Sequence, residues 1–206
     1  MRHPIFLFFI LFLSVVNSNA QEAVRKIPER VANESSIREL MSRSGPAGIV
    51  FLRDKDIEQK YNWNAKSLLL IDVLEGVIKT EPQYRLENNN GVYNLLPADK
   101  YPVLLDTVVS ELELTNASVW QARDQLIALP ELQQSATSLG YENYILPRII
   151  MESRLGGVNH FSIKFKEKTI REILNEIVKF EGKAVWSFQE YSENGNKLFD
   201  LYFIHS

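Results

Sequence analysis

The chain has 206 residues, 45% of them hydrophobic and 24% charged, with a formal net charge of -3 and no cysteine. A mildly acidic chain of this kind argues against nucleic acid as a partner and predicts no strong attraction to anionic lipid. With no cysteine there are no disulfide staples and no thiol for a lipid anchor, so stability has to come from burial.

Residues 1–20 read as a secretory signal peptide. Arg2 and His3 precede an apolar run from Ile5 to Val16, and Asn17, Ser18, Asn19 and Ala20 lead to a cut expected between Ala20 and Gln21. The run is about a dozen residues, short of the roughly 20 that cross a bilayer, which disfavours an uncleaved anchor. No later stretch is a better span, because 67–78 is striped and contains Asp72 and Glu75. The mature chain, 21–206, is therefore expected in the periplasm or outside the cell, without a membrane span, and large enough for one ample core or two small ones.

Residues 21–34 are polar and include Pro28, with room for one short strand. Ser36 with Glu39 three residues on is a capping-box pattern, and the short helix it opens is expected to stop at Ser44-Gly45-Pro46, with Gly45 in the left-handed conformation. A strand follows over 48–52, and 56–63 alternates as a second strand. Ser67 is expected to open a helix whose stripe is Leu70, Val73, Leu74, Val77 and Ile78. Residues 84–86 and 92–95 flank Asn88-Asn89-Asn90-Gly91, residue types that accept the positive φ of a tight hairpin turn. The polar, proline-flanked segment 98–102 is the expected boundary between two halves.

The second half opens with a strand at 109–114 and a helix from Val119 to about Leu129. A short helix is predicted over 131–138, and the pattern then becomes unreadable as far as Val158. The end of the chain is the clearest part: strand 161–165, a helix from Thr169 striped by Ile170, Ile173, Leu174, Ile177 and Val178, then strands 184–188 and 197–204. Ser67, Ser118 and Thr169 are equally spaced, since 118 - 67 and 169 - 118 are both 51. Each has apolar residues six and four positions earlier: Tyr61/Trp63, Leu112/Leu114 and Ile163/Phe165.

Short helix, strand, strand, longer helix and hairpin is the order in which this chain resembles the secretin and TonB short N-terminal (STN) domain. The first copy would run through Ser36-Ile-Arg-Glu-Leu, Gly48-Ile-Val-Phe-Leu, Lys60-Tyr-Asn-Trp, the helix after Ser67 and the hairpin at 84–95. The second would use Leu112 to Val119, Phe161 to Phe165, Thr169 to Leu174 and 184–204. The resemblance implies an α+β fold of two βαββ-type modules with helices packed on short mixed sheets. The division would be 21–97, a linker at 98–107, and a diverged 108–206 with an insertion near 130–158. It also implies a bacterial envelope protein that docks another protein, with no catalytic residues to carry over. No barrel or secretin domain follows the modules, which departs from the family pattern.

The residues themselves offer little chemistry. His3 lies in the signal peptide and His205 is the penultimate residue, so His160 stands alone, and one histidine without cysteine does not make a common zinc site. No serine sits in a Gly-x-Ser-x-Gly elbow. The carboxylate pairs a glycan hydrolase would need are Asp54/Asp56, Asp72/Glu75 and Glu111/Glu113; the last two lie on polar faces, where nothing separates their pKa values. No catalytic, cofactor or metal site is expected. Asn33-Glu34-Ser35 and Asn116-Ala117-Ser118 match the glycosylation acceptor pattern but read better as residues preceding and capping helices.

The closing hairpin carries the one surface that asks for a partner. If Trp186, Phe188, Phe199, Leu201 and Phe203 face the helix, then Val185, Leu198, Tyr202 and Ile204 lie opposite, on a face too apolar for solvent. That face is expected either to pack on the first half or to meet another envelope protein, with an open sheet edge beside it that can accept a strand. The two remaining expectations are a small wall-processing hydrolase and a glycan-binding module using Tyr141/Tyr144 or the Tyr202 face.

Overall fold

A computed structural model describes residues 26–52, 55–63, 67–142 and 159–205. The expected signal peptide and its cleavage site, Asp54, Tyr144 and most of the expected 130–158 insertion lie outside them. Among the described residues the fold is mixed α+β. In chain order it contains α1 (Glu29–Asn33), α2 (Ile37–Ser44), β1 (Ala47–Phe51), α3 (Lys55–Glu58), α4 (Leu70–Thr80), β2 (Tyr84–Asn89) and β3 (Val92–Pro97). After a 3-10 turn (Val103–Asp106) come β4 (Val108–Ala117), α5 (Val119–Ile127), α6 (Pro130–Ser138), β5 (Phe161–Thr169), α7 (Ile170–Glu181), β6 (Ala184–Glu193) and β7 (Asn196–His205).

Five strands form one mixed sheet in the order β2-β3-β1-β6-β7, and β4 with β5 forms a separate antiparallel ribbon. The short strand β1 is the centre of the sheet. It runs parallel to β3 on one side (Ile49↔Leu95) and parallel to β6 on the other (Gly48↔Trp186). All five of its residues are buried, as expected of a strand covered on both faces. The sheet thus draws strands from both halves of the sequence.

Alternate residues of the sheet feed two cores. Val50, Val92, Leu96, Trp186, Phe188, Phe199, Leu201 and Phe203 join the stripe of α7, together with Val119, Ala122 and Leu126 of α5 and Leu112, Leu114, Phe161 and Phe165 of the ribbon. Helices α5 and α7 therefore lie between ribbon and sheet. On the other face Ala47, Ile49, Phe51, Leu95 and Val185 meet α2 and α4, with Trp63 and Tyr84. Segment 98–107, expected as a linker, is packed: Leu104 and Leu105 of the 3-10 turn are buried in the first core.

The helix starts show which cap chemistry the backbone used. Ser118 and Thr169 make complete capping boxes with Gln121 and Glu172. Ser36 accepts from the Glu39 amide at 3.1 Å, but the Glu39 carboxylate turns to Arg30 at 3.4 Å instead of closing the box. Ser67 does not cap. Its hydroxyl bonds to Asp72 and accepts from the Leu69 amide, and α4 starts only at Leu70. Gly45 is not left-handed either, with φ of -33°. It is glycine for lack of space, since a methyl group there would stand 2.8 Å from the Lys183 carbonyl oxygen. The left-handed cap occurs at Gly182, φ +84°, after α7.

The largest correction is 56–63. Its alternation comes out as the four-residue helix α3 and a single bridge from Tyr61 to Ser35. Two of its side chains serve a buried network instead: the Tyr84 hydroxyl donates to Asp56 at 2.7 Å and accepts from the Leu52 amide at 3.0 Å, while the Trp63 indole donates to Ser35 at 2.8 Å. The repeated strand, cap and helix thus holds for β4–α5 and β5–α7 and not for 61–78. The hairpin at 84–97 is as expected, with Asn90 and Gly91 both at positive φ.

Thr169→Ala is expected to cost about 1 kcal/mol in urea unfolding, because the hydroxyl that accepts from the Glu172 amide is lost while the backbone amide of residue 169 still donates to Glu172. A loss below about 0.3 kcal/mol would remove this cap from the account of α7. The Thr169 amide, donating to Glu172, and the neighbouring cations Lys168 and Arg171 hold the Glu172 carboxyl below its usual range. This depressed folded pKa contributes stability above the unfolded value that is lost as pH falls through the folded one.

Candidate functional site

Among the described residues two sheets of unequal width leave four strand edges, and an edge is a row of unpaired backbone groups that must be guarded or used. Three are guarded. Charged side chains stud β2, where Glu87 holds Arg85 at 3.0 Å and Arg171 of α7 at 2.9 Å. On β5, Lys164, Lys166 and Lys168 recur at every second residue. On β4 the Ser110 amide and hydroxyl both donate to Glu131 of α6.

The fourth edge, β7, is different. From Leu198 to Ile204 it reads Leu-Phe-Asp-Leu-Tyr-Phe-Ile, with Asp200 the one acidic or basic residue. The chain itself adds a strand fragment to the beginning of this edge. Tyr141 bridges to Lys197 in parallel, and the Glu142 amide donates to the Lys197 carbonyl at 3.0 Å. Side chains lock the fragment: the Lys197 ammonium sits 3.9 Å over the Tyr141 ring, the Tyr141 hydroxyl donates to Glu190, and Phe199 meets the ring edge-on at 5.4 Å. Burial, with the Glu190 contact, raises the Tyr141 pKa.

The Lys197 carbonyl faces away from β6, and backbone groups alternate along a strand. Phe199, Leu201 and Phe203 therefore direct theirs to the same outer side. Among the described residues Glu142 to Lys197 is the one backbone bond made there.

Of the face expected to meet a partner, the structure keeps only part available. Val185 is fully buried in the second core and Ile204 packs against that core, opposite Val185 in the register. This end of the face is used internally. Leu198 is 5% exposed and lies opposite Tyr191. Tyr202 is half-buried, opposite Ser187, whose hydroxyl donates to the Tyr202 carbonyl.

Between Tyr202 and Leu198 lies Asp200, a residue that pattern reasoning passed over. Its Oδ1 is buried with no hydrogen-bond partner, and so is Nε of Arg123 on α5. Burial raises the Asp200 carboxyl above its usual range, and the nearby Arg123 charge opposes that shift without cancelling it. A raised carboxylate pKa works against folding once pH rises past the unfolded value. Asp200→Asn is therefore expected to raise the urea midpoint at about pH 7 and to lose that advantage at about pH 3.5, below the ordinary carboxylate range. An Asn variant less stable at neutral pH would contradict this sign.

The carboxylate pairs considered for hydrolysis are not drawn into a common cleft by the described residues. Glu111 and Glu113 are exposed and share Lys164, at 2.6 and 3.8 Å. Asp72 is held by Ser67, and Glu75 is exposed. Asp56 is fully buried, but the partners found for it are the tyrosines 84 and 61. His160 is exposed, and no group of three or more metal-binding side chains occurs among the described residues. No helix among them is long and apolar enough to cross a membrane. Comparison with models of known families, with curated proteins and with solved structures finds no match for the chain.

Proposed function

We propose that this protein is an exported, non-enzymatic adaptor of the bacterial envelope that works by binding another protein at the β6–β7 hairpin. The observation that carries the reading is the β7 edge: apolar, lacking the charged guards of the other edges, and already used by Tyr141–Glu142 as a template for strand addition. The half-buried Tyr202 beside it supplies an aromatic contact of the kind that anchors interfaces. The resemblance to STN-type docking modules supports the same role, and the arrangement of α5 and α7 between ribbon and sheet is compatible with it.

The test is a photo-reactive benzoylphenylalanine placed at Tyr202 and, as control, at exposed Thr137 on α6, in the full chain expressed in its native cells. A protein adduct at 202 that is absent at 137 is the expected result. Adducts only with glycan, or none from either position, would overturn the adaptor reading. Mass spectrometry of the recovered chain should also find it beginning at Gln21.

A further inference from the structure

The β7 edge carries information about what it binds. Near its beginning the charges are engaged: Lys197 lies on the Tyr141 ring and Glu190 accepts from the Tyr141 hydroxyl. Asp200 is left with one buried oxygen unpartnered, in a run otherwise made of Leu, Phe, Tyr and Ile. Gln189, across the strand pair, is the residue facing it on β6. Arg123 is the nearby cation, yet its Nε is unpartnered too, and its one ion contact among the described residues is a long 3.9 Å approach to Asp124. A buried carboxylate oxygen and a buried guanidinium N–H, each lacking a partner among the described residues, are costly to keep unless a further group completes them.

We infer that the segment taken up by the β7 edge is an extended peptide bearing a lysine or arginine at the position that meets Asp200. The inference rests on the adaptor reading and makes it specific. The peptide backbone pairs with the outward groups of Phe199, Leu201 and Phe203, as Glu142 already does with Lys197. Its cation pairs with the Asp200 carboxylate. An acidic residue at that position is rejected by like charge, which gives the edge selectivity as well as affinity.

Random dodecapeptides displayed on phage and selected on the immobilised full chain provide the test. Selected sequences are expected to carry one Lys or Arg among β-branched and aromatic residues, and the synthetic peptides should slow amide exchange at Phe199, Leu201 and Phe203. Loss of one charge-assisted contact in Asp200→Asn should weaken binding roughly tenfold. Asp200→Lys should turn the selection towards acidic peptides. Peptides that protect these amides but show no basic preference, or bind Asp200→Asn equally well, overturn the charge assignment and leave the adaptor reading standing. Failure to recover any peptide that protects them overturns both.

Discussion

Gly48→Ala should destabilise the protein by about 3 kcal/mol, the upper end of what overpacking a core ordinarily costs. The added methyl would stand 2.1 Å from Cε2 of Trp186, and the ring has nowhere to go. Trp186 is fully buried, is in register with Gly48 on the adjacent strand, and donates its indole N–H to Asn175 of α7 at 2.7 Å. Shifting the ring breaks that bond and leaves a buried amide unsatisfied in the first core. Trp186→Leu alone should also cost about 3 kcal/mol through the cavity it leaves. Because one change removes the atoms the other collides with, the double variant should be distinctly more stable than additivity allows. Urea unfolding of the four proteins decides it, and simple additivity would show that the ring does not rest on Gly48.

The second large effect belongs to the other core. Trp63→Ala is expected to cost about 3–5 kcal/mol, as large-to-small changes of buried aromatics do. Trp63 is 1% exposed, stacks on Tyr61 at 4.8 Å and ties Ser35 to the core through its indole N–H. Its carbonyl lies so close to Gly76 that a methyl there would approach to 2.3 Å, which fixes how α4 sits over this segment. Trp63→Phe keeps most of the volume and should lose only about 1 kcal/mol, the typical net worth of one hydrogen bond. Similar losses in the two variants would mean that the indole N–H, and not packing, holds the segment.

What could be read from the sequence follows from how local each signal is. The stripe of α7, the caps at Ser118 and Thr169, and the turn at Asn90-Gly91 are written within a few residues, and the structure agrees with all three. The sorting of Trp186, Phe188, Phe199, Leu201 and Phe203 onto one face was equally legible, because period-2 alternation survives whatever the strands pair with. Residues 56–63 misled because Asp56, Tyr61 and Trp63 belong to a network with partners at 84 and 35, and alternation alone cannot distinguish that from a strand. The parallel pairing of β1 with β6 joins distant segments, and no local pattern encodes it. At the candidate site the hairpin face was visible, but the burial of Val185 follows from α2 and α4 covering it. Asp200 and Arg123 drew no notice because a missing partner is a property of three dimensions.

The pairing of β1 with β6 also sets a schedule. As the chain is made, Ala47–Phe51 emerges well before its neighbour Ala184–Glu193, with β2 to α7 in between. Until then one side of the central strand is an open, wholly apolar edge, and the first core lacks Trp186 and Phe188. Completion of the sheet therefore waits on β6 and β7, and its slow, non-local closure makes the half-emerged protein a natural client for a holding chaperone.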